Sequence, residues 1–221
     1  MPDPVMPSTF PSPPEKSSKH VVSNVDQLEA LYGPALERSL LKEIDYISES
    51  YRAFIEKSPF VLLASVGPEG IDCSPRGDPA GFVRVADKRT VMIPDRRGNN
   101  RIDSLKNIVR DPRISLLFLI PGVGETLRIN GRAHITTDPA LCATFAINNK
   151  DPRSVIVVEA DRIYFQCPKA LVRSRLWSAE TQVARAEVPS AGDMMAEILG
   201  NSFDGEAYDK AYPERLKQTI Y

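Results

Sequence analysis

PFVLLASVGPEG, residues 59–70, is the stretch at which the chain changes from helical to extended periodicity. Residues 60–66 are dominated by apolar and β-branched side chains, as in a strand of a folded core. Gly67-Pro68-Glu69-Gly70 follows directly and is a turn signal, because glycine and proline set the backbone angles that tight turns need. The stretch therefore predicts a strand that ends in a turn.

Further extended segments follow at residues 71–75, 81–86, 90–94, 114–120, 126–136 and 155–165. Two helices interrupt them. An apolar stripe within residues 102–109 predicts the first helix, which Asp111-Pro112 ends, and Asp138-Pro139 predicts the start of the second, over residues 138–147. Many short strands with few helices favour a mainly β, α+β protein with an antiparallel barrel over a doubly wound sheet.

Helices are predicted on both sides of this region. Six prolines and few apolar side chains in the first residues predict a disordered tail. Ser23 and Asp26 resemble a capping box that opens a helix to Tyr32, and Gly33-Pro34 starts a second helix whose apolar spacing continues to Ile55. The predicted organisation is a disordered proline-rich tail (1–22), N-terminal helices packed on the barrel (23–58), the barrel (59–180) and a C-terminal helical extension of one or two amphipathic helices (181–221).

The charge balance restricts the class of partner. The 221 residues include 28 basic and 29 acidic side chains, which leave a net charge of −1 and no long-range attraction for nucleic acid or membrane. Cys73, Cys142 and Cys167 form no C-x-x-C pair, which argues against a disulfide framework or zinc site and favours a reducing, cytoplasmic setting. The sequence contains no apolar run long enough to span a membrane and no signal-peptide pattern.

The stretch PDRRGNNRIDSLKNI, residues 94–108, joins a strand end to a helix and predicts an anion pocket. Asn99 or Asn100 is expected to cap the helix, so that its first N–H groups face the loop. Arg96, Arg97 and Arg101 flank the same spot, and guanidinium groups beside a helix N-terminus suit a terminal phosphate. The alternative is that these arginines extend into solvent.

The stretch CSPRGDPAGF, residues 73–82, supplies a second basic candidate. Arg76 lies between Pro75 and Gly77, where the constrained backbone presents its side chain in a fixed direction. A plain turn with a solvent-facing arginine is the alternative interpretation.

Together with FVLLASVGPEG, GFVRV, PRISLLFLIPG and ETLRINGRAHI, these two stretches resemble the pyridoxamine 5'-phosphate oxidase-like, FMN-binding split-barrel flavoproteins. The likeness covers residues 34–177 and is greatest to a bacterial branch that carries SPRGD and GNNR. It implies an FMN-binding antiparallel split β-barrel that carries N-terminal and C-terminal helices. The cofactor-binding residues implied by the resemblance are Ser74, Arg76, Gly77, Ile93, Pro94, Asn99, Asn100, Arg101 and Thr126, the last standing where the family has a glutamine.

The resemblance also implies a homodimer with the flavin site at the subunit interface. The stretch YFQCPKALVRSRLW, residues 164–177, resembles the segment that reaches over from the second subunit, and it brings Gln166, Arg173 and Arg175 to the site. The R-x-H substrate pattern of the oxidases is absent, so that the substrate is not implied. Arg173 and Arg175 are alternatively the charged face of a short helix, and Trp177 is alternatively a core or interface anchor.

Other chemistries have little support. The chain has only two histidines, His20 and His134, which argues against a zinc cluster and a histidine-based catalytic triad, and no metal site is predicted. It has neither a P-loop nor a dinucleotide-binding glycine motif, and its catalytic residues stay unassigned. The sequence therefore favours an FMN-dependent oxidoreductase of unknown substrate that acts on a small molecule. One alternative is a non-catalytic protein that binds FMN or haem, and another is a nucleic-acid patch formed by Arg96, Arg97, Arg101, Lys106 and Arg110.

Overall fold

The computed structural model describes residues 18–221, so most of the predicted tail lies outside the described residues. Its internal contacts divide the chain into one unit that ends at Leu41 and a second unit from Lys42 to Tyr221. The first unit contains α1 (Val25–Tyr32) and α2 (Glu37–Leu41). Asn24 and not Ser23 caps α1, because the Asn24 side chain accepts a hydrogen bond of 2.9 Å from the Gln27 N–H.

The second predicted N-terminal helix is interrupted. After α2 the chain forms an isolated antiparallel bridge between Ile44 and Ile163, and α3 (Glu49–Lys57) begins anew at Ser48, whose hydroxyl accepts from the Tyr51 N–H. Prediction of one continuous helix was wrong because the apolar spacing of this stretch serves strand contact and core packing as well as helix formation. Ile55 of α3 is fully buried in the core of the second unit.

The second unit is built on one antiparallel sheet of seven strands. Its spatial order is β2-β1-β5-β6-β7-β4-β3, in which the hairpin of β1 and β2 confirms the predicted turn between them. The strand predicted at residues 81–86 is reduced to two residues. The strands are β1 (Phe60–Gly67), β2 (Gly70–Gly77), β3 (Arg84–Val85), β4 (Thr90–Pro94), β5 (Arg113–Leu119), β6 (Thr126–Thr136) and β7 (Val155–Gln166).

Besides α3, five further helices belong to this unit, and three short 3-10 turns lie among the C-terminal ones. They are α4 (Asp103–Arg110), α5 (Pro139–Thr144), α6 (Lys169–Ser174), α7 (Ala191–Leu199) and α8 (Gly205–Thr219). Asp138 caps α5 as predicted, because its carboxylate accepts from two N–H groups of the first turn. The stripe of α4 is only partly buried, since Ile108 is in the core whereas Val109 is exposed.

The sheet curls so that strands far apart in its order share one core. Val61 and Leu63 of β1 belong to the same buried cluster as Val91 and Ile93 of β4, although three strands separate β1 from β4. The curl also brings the strand ends together, because Arg76 at the end of β2 forms an ion pair of 2.6 Å with Asp95 just after β4. The mainly β, α+β fold class with an antiparallel split barrel is thereby confirmed.

One glycine is required where β6 and β7 meet. The pairing of these strands shifts register between Asn130 and Gly131, which is a bulge that increases the local bend. A Cβ atom on Gly131 would lie 2.1 Å from the main-chain oxygen of Glu159, so no side chain fits there without moving the backbone of β7.

We expect Gly131→Ala to destabilise the fold by about 1–3 kcal/mol, the usual cost of inserting a methyl group into packed structure. Urea unfolding followed by circular dichroism measures the change. Gly98→Ala is the matched control, because a Cβ on Gly98 meets no atom within 4 Å. Equal midpoints for the two variants would contradict the close approach of β6 and β7.

Candidate functional site

A large open cleft of ≈ 1360 Å³ lies where β2, the end of β4 and the start of α4 come together. The loop before β7 forms a further wall, because the pairing of Pro94 with Val155 sets the start of β7 beside the end of β4. Ligand pockets in proteins commonly measure roughly 300–1,000 Å³, so the cleft has room for a cofactor.

Seven of the predicted site residues line this cleft: Ser74, Arg76, Gly77, Pro94, Asn99, Asn100 and Arg101. They come from two stretches that the sequence separates and the curled sheet brings together. Ile93 is different. Its side chain is fully buried in the core and lines no part of the cleft.

Helix α4 is held against the β1–β2 hairpin by two side-chain hydrogen bonds. The Ser104 hydroxyl donates to the Asp72 carboxylate at 3.1 Å, and the Asn107 amide donates to the Ser65 hydroxyl at 3.1 Å. Because Ser104 is in the first turn of α4, its bond to β2 places the N-terminus of the helix at the cleft.

The cap predicted for α4 was wrong. Its N-cap is Ile102, in the left-handed region with φ of 52°, and no side chain caps the helix. The Asn99 side chain instead accepts from the Arg101 N–H at 3.0 Å, and Asn100 also has a left-handed φ of 60°. Asn100 and Ile102 thus both have a left-handed backbone at the end of the loop. The sequence pattern does not reveal this, because a β-branched residue such as isoleucine rarely adopts that conformation.

Arg76 is one of the two largely buried basic side chains of the cleft, with Arg96. It follows Asp72 and Ser74 on the half-buried side of β2, while Cys73 and Pro75 are exposed. One terminal nitrogen of Arg76 binds Asp95 at 2.6 Å, and only 18% of its side chain is exposed. Its Nε is buried and has no hydrogen-bond acceptor among residues 18–221. A donor in that condition is costly unless a ligand supplies the acceptor.

The Arg96 side chain forms its hydrogen bonds with other residues of the protein. Its Nε donates to Asp78 at 2.6 Å and one terminal nitrogen donates to the Phe145 carbonyl at 2.8 Å. The side chains of Arg96 and Asp78 are 17% and 1% exposed, and the Tyr221 hydroxyl donates to the second oxygen of Asp78 at 2.7 Å. Arg96 therefore ties β4 to the β2–β3 connection and to α5.

The arginines of the 94–108 stretch do not converge on one point. Arg101 is largely exposed and binds Asp103 at 2.7 Å, while the exposed Arg97 forms no ion pair within the part of the chain that the structure describes. The Arg101 guanidinium holds the pKa of the Asp103 carboxyl below its usual range. Six basic and five acidic residues line the cleft, which is nearly neutral because most of its arginines have their own carboxylate.

The remaining predicted residues lie outside the cleft. Thr126 and Gln166 are directly paired across β6 and β7, and the Thr126 hydroxyl donates to Gln166 Oε1 at 3.4 Å. Arg128 donates to the same Gln166 oxygen. Arg173 is in α6, and Arg175 ends that helix with a left-handed φ and binds Glu180. The predicted site residues of a single chain therefore do not all meet at the cleft.

Several cleft residues were missed in the sequence, namely Asp95, Lys150, Arg153, Ile220 and Tyr221. Lys150 and Arg153 had a usable signal, since antiparallel pairing of β4 with β7 would place the residues before β7 beside the loop that follows β4. Tyr221 had none, because only the tertiary fold brings the residues after α8 to this cleft.

The family model for pyridoxamine 5'-phosphate oxidase matches residues 47–167, more than half of the chain. The chain belongs to the pyridoxamine 5'-phosphate oxidase family. This is a flavin-binding family, and the match includes the whole sheet and the loop of residues 94–108. No curated protein matches the sequence significantly.

Several solved structures are similar to part of the chain. HupZ of Group A Streptococcus is 19% identical over 53% of this chain and 91% of its own, with a TM-score of 0.44. General Stress Protein 26 of Bacillus anthracis is 18% identical over 51% and 88%, with a TM-score of 0.40. An F420 reductase is 19% identical over 54% and 98%, with a TM-score of 0.41. At these TM-scores the likenesses carry no conclusion about function.

Within residues 18–221 no helix combines the length and apolar character that crossing a membrane would need.

The Tyr221 hydroxyl provides a pH test of the cleft. Its hydrogen bond to Asp78 raises the pKa of Tyr221 above the usual 10.0, and the nearby Arg96 offsets this in part. Because the folded pKa is raised, the contact stabilises the protein fully below pH 10 and is lost as the pH rises through the folded value. The alkaline absorbance titration of the wild type minus that of Tyr221→Phe should show an inflection above pH 10. An inflection at or below that pH would mean that the hydrogen bond is absent in solution.

Proposed function

We propose that the protein binds FMN in this cleft and acts as an FMN-dependent oxidoreductase on a small-molecule substrate. The observation that carries the proposal is Arg76, whose buried Nε lacks an acceptor at a cleft wall beside the uncapped N-terminus of α4. Membership of a flavin-binding family supports the cofactor class.

The residues present fit a terminal phosphate. Arg76 offers Nε while its terminal nitrogen stays on Asp95, so the side chain keeps its position when it donates. The first N–H groups of α4 are without a side-chain cap, and the positive end of the helix dipole favours a dianion there. Ser74, Asn99, Asn100 and Arg101 add polar groups around the same corner.

The near neutrality of the cleft is compatible with this role. Five carboxylates among its walls keep the arginines from repelling one another in the absence of ligand. A phosphate would then be recognised through directed hydrogen bonds more than through a diffuse positive field. When bound, the flavin ring would carry the electrons, and the chain would supply anchoring, orientation and a shaped space.

The proposal includes a homodimer in which residues 164–177 of one copy complete the cleft of the other. It is supported by the separation of Gln166, Arg173 and Arg175 from the cleft within one chain. Apolar side chains are also exposed on and beside this segment: Phe165 (40%), Val172 (63%), Leu176 (48%) and Trp177 (37%). Exposed apolar patches of this kind mark association surfaces. A cytoplasmic setting accords with the three free cysteines.

Binding of FMN without turnover is the second candidate. It is favoured by the pairing of the acidic groups Asp78, Asp95 and Asp103 with arginines, which leaves none of these three free as a proton donor or acceptor. Stopped-flow measurement of flavin reduction by NADH and NADPH, and of reoxidation by oxygen, distinguishes the candidates. Reduction within a catalytic time scale supports the oxidoreductase, and inertness toward both donors supports a binding protein.

We expect Arg76→Lys to weaken FMN binding by roughly 10- to 100-fold, which corresponds to the loss of a charge-assisted contact of ~1.5–3 kcal/mol. Lysine keeps a charge for Asp95 but removes the donor at Nε. Quenching of flavin fluorescence on titration measures the Kd. Arg110→Lys, the same change in α4 outside the cleft, is the control and should leave the Kd unchanged. No binding of FMN by the wild type, or equal Kd values for all three proteins, would refute the proposed site.

We expect Val172→Asp to convert the dimer to monomers in sedimentation velocity, because a carboxylate in an apolar interface is strongly unfavourable. Val109→Asp, an exposed position on α4, serves as the control and should remain dimeric. A wild type that sediments as a monomer at all concentrations would contradict the proposed assembly.

A further inference from the structure

The two residues that follow α8 form part of the wall of the cleft. Ile220 and Tyr221 both line it, and three interactions hold Tyr221 there. Its hydroxyl donates to Asp78 Oδ1 at 2.7 Å, its main-chain oxygen accepts from Lys150 Nζ at 2.8 Å, and its ring centroid lies 5.9 Å from the Arg96 guanidinium. Neither the anion-pocket pattern nor the proposed cofactor site assigns a part to this segment.

Asp78 is the group through which Tyr221 reaches the binding loop. The Asp78 side chain is 1% exposed, and each of its oxygens accepts one hydrogen bond, from Tyr221 Oη and from Arg96 Nε. A carboxylate so buried is stable only while its acceptors are satisfied. Tyr221 therefore completes the coordination of Asp78, and Asp78 in turn fixes Arg96.

Arg96 lies near the start of loop 95–101, which lines the cleft, and its side chain anchors that loop to Asp78. Residues 95–101 contain no helix or strand, and the loop is held at its start by Arg96 and by the Asp95 N–H, which donates to the Ser154 carbonyl at 2.9 Å. If Arg96 loses its partner, the loop is free to shift, and Asn99, Asn100 and Arg101 shift with it. The shape of the phosphate corner thus depends on contacts behind the loop.

We propose that Tyr221 is a positioning residue of the cofactor site: its hydroxyl keeps the Asp78–Arg96 ion pair closed and thereby holds loop 95–101 in the shape that receives a flavin phosphate. This inference rests on the proposed function. Tyr221 is one wall of a cleft of ≈ 1360 Å³ and leaves it open, so it supports the site and does not plug it. Lys150 makes the second contact: its ammonium group binds the main-chain oxygen of Tyr221 and holds the tyrosine in place while the Tyr221 hydroxyl binds Asp78.

The test compares Tyr221→Phe with the wild type, using FMN and riboflavin as probes. Phenylalanine removes only the hydroxyl, and Tyr212→Phe makes the same change on α8 at a tyrosine that is 41% exposed and outside the cleft. We expect Tyr221→Phe to release FMN about tenfold faster, as for loss of one hydrogen bond to a charged group. The rate of riboflavin release should be the same in all three proteins, because riboflavin has no phosphate.

Three results would overturn the inference. Unchanged FMN release shows that Tyr221 does not act on the site. Equal acceleration for FMN and riboflavin shows a general structural effect. Slower FMN release in Tyr221→Phe shows that the tyrosine occludes the cleft.

A measurement without flavin separates this inference from the proposed function. In the ligand-free protein, Tyr221→Phe should increase amide hydrogen exchange within residues 95–101, including the Asp95 N–H, and leave β6 unchanged. Tyr212→Phe should alter neither region. If the wild type binds no FMN but the exchange increases, the proposed cofactor fails while the positioning contact stands. If exchange in the loop is unaffected, the inference fails whether or not FMN binds.

Discussion

The ion pair between Arg76 and Asp95 is the constraint on which the site depends. It joins the end of β2 to the residue after β4, two strand ends that the hydrogen-bonded order of the sheet keeps far apart. The shared core of β1 and β4 curls the sheet, and the ion pair fixes how closely its edges approach. Because the partners are about four-fifths buried, the pair also sets the direction in which the remaining nitrogens of Arg76 can donate.

A second pair, Asp78 with Arg96, crosses the same gap in the opposite sense, from the residue after β2 to the loop after β4. The two crossed pairs explain why arginines accumulate here without a strongly positive surface. Each cation is compensated by a carboxylate of the facing edge, and what remains for a ligand is a small set of oriented donors. Such preorganisation favours recognition of one anionic group over general attraction of anions.

The sequence was sufficient for all strands but β3, which is shorter than predicted, because alternating apolar side chains and glycine-proline turns are local signals. It was also sufficient for the family, because SPRGD and PDRRGNNR lie in a fixed order. It was insufficient where tertiary contacts decide. The apolar spacing through Ile44 and Ile47 is typical of a helix, although Ile44 forms a β-bridge. The cap of α4 depends on the left-handed backbone of Asn100 and Ile102. The burial of the Ile93 side chain in the core was not foreseen, and Tyr221 was missed because its partners are 143 and 71 residues away.

A crystal structure of the protein grown with FMN tests the account most directly. The account predicts that the phosphate accepts a hydrogen bond from Arg76 Nε and from N–H groups in the first turn of α4, while Arg76 keeps its contact with Asp95. A phosphate bound elsewhere, or an Arg76 that leaves Asp95 and turns away from the flavin, would contradict it.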